Sequence, residues 1–165
     1  MKLKLEHRFA CSPETYWEIA TRDDVEAEGA SKNDGEVETL SDTVKDGIRI
    51  RRQRFSMNRE LPAAITKVLK TNRISYELEL RIDLERYRAD WTITPLVLPD
   101  RVTGSGVAIV TPTSDGCLRV IDGELKVKVP LVGRMMEERL IAEVSNSYDI
   151  TAGVIRDRVA ALDDA

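Results

Sequence analysis

Apolar residues recur along one side of a helix through the end of this chain. Steps of four and three residues from Val132 reach Met136, Leu140, Val144, Tyr148, Thr151, Ile155, Val159 and Leu162, and only Thr151 is not apolar. That spacing predicts a helix buried along one side. About 30 residues at 1.5 Å each would run roughly 45 Å. This exceeds the expected span of a small domain, so the stripe needs a broad partner surface.

Upstream the period drops to two. Leu3, Leu5, His7 and Phe9 alternate with Lys2, Lys4, Glu6 and Arg8, a half-buried strand over Lys2–Ala10. Ser12-Pro13-Glu14 supplies an N-cap, a proline for the first helical position and an acid for the first turn. A short helix to about Thr21 follows, with a second over Arg22–Ala30 ended by Asp34-Gly35. Glu36–Val44 and Ile48–Ser56 form a hairpin around Lys45-Asp46-Gly47. Leu61, Ile65, Val68 and Leu69 have helical spacing and predict a short helix or lid. Ile74–Leu84 is the clearest strand, with Ile74, Tyr76, Leu78, Leu80, Ile82 and Leu84 on one face. Asp90–Leu98, Thr103–Thr111 and Cys117–Val129 complete the set, the last two joined by Thr113-Ser114-Asp115-Gly116.

The last strand changes phase. Leu118 and Val120 are apolar at even positions, Leu125, Val127 and Val129 at odd ones. A bulge near Asp122-Gly123 would reconcile the halves and bend the strand. The expected architecture is α+β in one domain. A curved antiparallel sheet of about seven strands wraps around the long C-terminal helix, with two short helices after the first strand.

This order of elements resembles the helix-grip fold of the START-like (SRPBCC) superfamily, which includes polyketide cyclases, plant pathogenesis-related proteins and lipid-transfer domains. The resemblance spans nearly the whole chain. Its most specific segment is Val129-Pro130-Leu131-Val132-Gly133 followed by Glu137. That segment is similar to a bacterial branch of the superfamily with no assigned activity. The resemblance implies a hydrophobic ligand cavity between sheet and helix, and transfers no catalytic residues.

Composition narrows the function classes. The 165 residues are 42% hydrophobic and 33% charged, which suits a globular fold with a real core. A formal charge of -4 argues against a nucleic-acid partner, because phosphate contacts need a basic face. No apolar run approaches the ~20 residues of a membrane span, and the alternating N-terminal segment lacks the apolar core of a signal peptide. Cytoplasmic location is the expectation, with Cys11 and Cys117 reduced. One histidine, and no cysteine near it at ligand spacing, gives no support for a metal. Neither a phosphate-binding glycine loop nor a Gly-x-Ser-x-Gly elbow is present, so no cofactor is expected. The sequence leaves the oligomeric state open.

The candidate site residues are polar groups predicted to face inward. Glu137 falls within the apolar arc of the long helix, where a buried carboxyl could act as an acid or base or bind a ligand's polar group. It could equally sit at the helix start, favoured by the dipole and paired with a strand arginine. His7 points inward with Leu5 and Phe9, as a cavity proton carrier or a hydrogen-bonded core histidine. Alternation sets Arg52 and Arg54 on the face of Ile48 and Ile50, with Arg49 and Arg51 opposite. Inward, Arg52 or Arg54 could fork onto a ligand carboxylate or phosphate; outward, they would pair with Glu77, Glu79 and Asp83. Tyr76, Trp91 and Tyr148 are apolar bodies with polar tips, suited to a pocket wall or to ordinary core.

Three functions follow. The first is a carrier for a hydrophobic small molecule, lipid-like with an acidic head. The second is a cyclase-, dehydratase- or hydrolase-type enzyme using Glu137 or His7, which fails if those two lie on opposite sides of a filled core. The third is a protein-interaction module with a closed interior.

Overall fold

The computed structural model describes residues 1–163. Its elements run β1 (Lys2–Phe9), α1 (Pro13–Ala20), α2 (Asp23–Lys32), β2 (Gly35–Lys45), β3 (Ile48–Asn58), α3 (Ala63–Leu69), β4 (Arg73–Asp83), β5 (Arg88–Pro95), β6 (Val102–Thr113), β7 (Gly116–Val127) and α4 (Gly133–Asp163). The seven strands form one antiparallel sheet in the order β1-β7-β6-β5-β4-β3-β2, curved around α4 in a helix-grip fold. Among the described residues, no helix is long and apolar enough to cross a membrane.

Local chemistry sets the element ends. Ser12 accepts from the Thr15 amide at 3.2 Å and caps α1, with Pro13 at its first position. The β2–β3 hairpin turns at Asp46 and Gly47, whose φ values of 53° and 77° are the left-handed pair required by a type I′ turn.

Helix α4 has 31 residues, about 46 Å at 1.5 Å each. Met136, Val144, Ile155 and Val159 of the stripe are buried; Leu140, Tyr148 and Thr151 are half-buried. Leu162 is exposed, so the stripe stops one step early. Thr151 has a steric role: a Cβ at Gly29 of α2 would lie 2.9 Å from its Oγ1, so the two helices cross closely there. Arg158 bonds Glu28 at 2.6 Å, Asn146 bonds Asn33 at 2.9 Å, and Arg59 bonds Glu143 at 2.8 Å. These contacts tie the helix to α2, to the residue after it and to the end of β3.

The sequence reading of β7 needs correction. Its register with β1 and β6 is continuous, and the one shift in the sheet lies between Thr39 and Ser41 on edge strand β2. The odd residues face inward throughout: Cys117, Arg119, Ile121, Leu125 and Val127 are buried. Leu118 and Val120 lie on the outer face, where Val120 pairs with Ile109 of β6. Gly123 needs no bulge because its missing side chain makes room for Trp91, whose Cζ2 lies 2.2 Å from where a Cβ would stand.

Candidate functional site

Between the concave face of the sheet and α4 lies a cavity of two lobes. One is lined by Leu61, Ile65, Leu69, Val102, Met136 and Leu140 among others, and holds about 770 Å³ of non-atom space, its open mouth included. Half-exposed Arg73 and Arg139 stand at its rim. The other lobe, about 930 Å³ on the same measure, runs toward Tyr16, Gln53, Arg119 and Tyr148. Tyr76, Ile93 and Val144 line both, so the lobes meet at that waist.

The first lobe is apolar because α3 and the start of α4 both turn apolar side chains toward it. Ile65, Val102, Val127 and Met136 form a small buried cluster there. The second lobe ends in polar groups carried by β7, β3, α2 and α4. Arg119 is its centre. It is 2% exposed and projects inward from β7. Its Nη1 donates to the Tyr16 hydroxyl at 2.9 Å, and its Nη2 to His7 Nδ1 at 2.9 Å and the Tyr148 carbonyl at 3.5 Å. The guanidinium carbon lies 5.3, 5.7 and 5.1 Å from the ring centres of Phe9, Tyr16 and Tyr148, within cation–π range. Its Nε is buried without a partner among the described residues.

The histidine tautomer follows from this contact. A guanidinium can only donate, so Nδ1 of His7 accepts and the ring proton sits on Nε2. Nε2–H then donates to Asp149 at 2.7 Å. Burial, and then the positive Arg119, hold the imidazole below its ordinary pKa against the pull of Asp149. A neutral imidazole thus links a buried cation to an exposed carboxylate.

A second buried network closes the α2 side. Arg51 of β3, also 2% exposed, bonds Asp23 and Glu26 of α2 and Asp42 of β2. Gln53 Nε2 donates to the same Glu26 oxygen as Arg51. Burial pushes the Glu26 carboxyl above its usual range despite Arg51, while the Arg51 and Arg49 bonds hold Asp23 and Asp42, respectively, below theirs.

The residues singled out from sequence separate into five groups. Tyr76 and Tyr148 stand in the cavity wall, and Phe55 stacks on Tyr76 with ring centres 5.4 Å apart. Burial raises both hydroxyls, Tyr148 to about 12. His7 points inward as expected but lies behind Arg119 rather than in the wall. Trp91 is 3% exposed and covers Gly106 and Gly123 as core.

Arg52 and Arg54 correct the expected phase of β3. Both face outward and bond Glu77, at 3.0 and 2.9 Å, while Arg51, Gln53 and Met57 are the buried residues. Ile48 and Ile50 share that outer face, so apolarity gave the wrong side. Glu137 is partly buried, but its Oε1 accepts the Val127 amide at 2.9 Å and holds the end of β7. Some 12 residues of α4 separate it from Asp149, about 18 Å of rise, so it does not meet His7.

Arg119, Gln53, Glu26 and Tyr16 were not among the sequence candidates. Counting back by twos from Val127 through Leu125, without the bulge, would have reached Arg119. The same count from Met57 through Phe55 would have reached Gln53 and Arg51.

Comparison with known proteins gives the fold broad company. The chain is similar to the crystal structure of TTHA0849 from Thermus thermophilus, with 13% identity, TM-score 0.70, and 98% and 99% of the two chains covered. It is similar to Ara h 8.0201, with 12% identity, TM-score 0.65 and 98% of each chain covered. It is also similar to the Zhui aromatase/cyclase from Streptomyces sp. R1128, with 13% identity, TM-score 0.62, and 97% and 93% covered. At such identities the likeness is one of fold alone. No curated protein matches the sequence. A family model does match, over residues 4–159, so the chain belongs to the family described as protein of unknown function, DUF2505.

Proposed function

We propose that this protein binds a hydrophobic small molecule between the sheet and α4. The observation that carries this reading is the two-lobed cavity, whose wall is mainly apolar and whose polar groups gather at one end. Ligand pockets commonly have this composition, a mainly apolar wall with a few convergent polar groups. Filling such a space with apolar atoms is favourable at about 25 cal/mol per Å² removed from water. The open interior counts against an interaction module with a filled core.

A cyclase-type reaction is the second reading, favoured by the aromatase/cyclase among the fold neighbours. It finds less support in the residues. Neither Glu137 nor His7 lines the cavity, and the two do not form an acid–base pair.

Native mass spectrometry of the purified protein, with solvent extraction of what it carries, tests the binding reading. The expected result is a co-purified apolar molecule, or saturable binding of a fluorescent fatty acid that other apolar molecules displace. Absence of both would sink it.

A further inference from the structure

We propose that Arg119 anchors a carboxylate, so that the ligand class is an elongated apolar molecule ending in a single negative charge; this rests on the binding reading above. A buried guanidinium normally sits against a carboxylate, because an unpaired buried charge is costly. Arg51 obeys that rule with three acidic partners. Arg119 is as deeply buried, yet its partners are a tyrosine hydroxyl, a neutral imidazole and a carbonyl. Among the described residues, no acid forms an ion pair with it.

The donor count points the same way. A guanidinium carries five N–H groups. Three contacts are made, the last of them long at 3.5 Å, and Nε has no partner among the described residues. Nε–H and Nη2, whose second contact is the long one, share one edge of the guanidinium, and that edge is the one the two oxygens of a carboxylate can bridge. Around them the rings of Phe9, Tyr16 and Tyr148 form an aromatic collar that excludes water and holds the cation in place.

The surroundings limit the charge of the head. Asp149 is kept from Arg119 by the His7 ring, so it cannot take the ligand's place. Glu26 also lines this lobe, but Arg51 and Gln53 occupy its carboxylate. One uncompensated cation facing one compensated acid suits a monoanion better than a phosphate dianion. The apolar lobe beyond the Tyr76–Val144 waist takes the tail.

The test is calorimetric titration of the wild-type protein with decanoate, 1-decanol and decyl phosphate, repeated on Arg119→Met and Arg119→Lys. A charge-assisted bond in a dry site predicts decanoate binding about tenfold or more tighter than decanol. Arg119→Met should erase that preference while retaining decanol binding; Arg119→Lys should keep part of it. Equal affinities for acid and alcohol in the wild type would overturn the anchor and leave the binding reading standing. Tighter binding of decyl phosphate would overturn the monoanionic head. Failure of all three probes to bind would remove the binding reading and this inference together. The wild-type comparison decides the matter even if the methionine variant does not fold.

Discussion

His7 of the first strand donates to Asp149 of the last helix at 2.7 Å, a bond between residues 142 positions apart in sequence. The ring's other nitrogen accepts from Arg119, so the imidazole is locked neutral between a cation and an anion. Its pKa is lowered by burial first and by Arg119 second, and Arg156 adds to the effect.

A pH dependence follows with a definite sign. In the unfolded chain the histidine takes up a proton near 6.5, while in the folded protein it does so only at lower pH. Its contribution to stability is therefore complete above 6.5 and is lost as pH falls from there through the lower native value. Asp23 and Asp42, held below 3.8, lose their contributions only in more acid solution, and Glu26, raised above 4.5, acts in the opposite sense. As this is the single histidine, the slope of Tm between pH 7.5 and about 5.5 should flatten in His7→Gln. An unchanged slope would place the titrating group elsewhere.

Arg51 should be a severe site. Arg51→Met leaves Glu26 buried and its charge uncompensated, at a cost of about 3 kcal/mol or more in urea unfolding. Adding Glu26→Gln to that variant should recover part of the loss, because the stranded charge goes with it. Strict additivity of the two substitutions would contradict the coupling.

Gly123→Ala should destabilise by about 2 kcal/mol, within the usual range for an overfilled core. A Cβ there would stand 2.2 Å from the Trp91 ring and 2.5 Å from the Ser105 carbonyl. Because the carbonyl cannot move away, Trp91→Leu should relieve only part of the strain. Equilibrium unfolding of both single variants and the double variant measures this.

Arg52 and Arg54 stand half-exposed on the outer face, bonded to Glu77. Such pairs contribute less than about 1 kcal/mol each, so Arg52→Ser and Arg54→Ser should leave stability nearly unchanged. Binding of a fluorescent fatty acid should also be unaffected. A large loss of binding would mean that these side chains reach the ligand by another route.

At the waist, Val144→Phe should narrow the passage between the lobes. Affinity for a long-chain fatty acid should fall at least several-fold, and affinity for a short one much less. Equal losses for both lengths would argue against a ligand that spans the two lobes.

The framework was legible because it is made by burial of apolar side chains. β1, β4 and the α4 stripe show clean periods of 2 and 3.6, and each turns inward the side expected, except at exposed Leu84 and Leu162. The polar heart of the cavity was hidden for the same reason. Where a strand turns Arg51, Gln53 or Arg119 inward and sets Ile50 or Val120 outward, the apolar pattern reverses its meaning. Glu137 was recognised as partly buried, but a carboxylate that bonds a backbone amide looks no different in sequence from one that bonds a ligand.

The close crossing at Gly29 and Thr151 also constrains how a guest could arrive. It pins the C-terminal half of α4, while the cavity's mouth lies toward the other end, beside α3, where Arg73 and Arg139 stand. A molecule entering there head first must carry its charge through the apolar lobe before meeting Arg119. Its escape must repeat that passage in reverse. Loading and release would then be governed by shedding and regaining water at the head, giving slow exchange even at modest affinity. Trimming Ile65 to alanine should speed release measured by stopped flow, and an unchanged rate would point to another door.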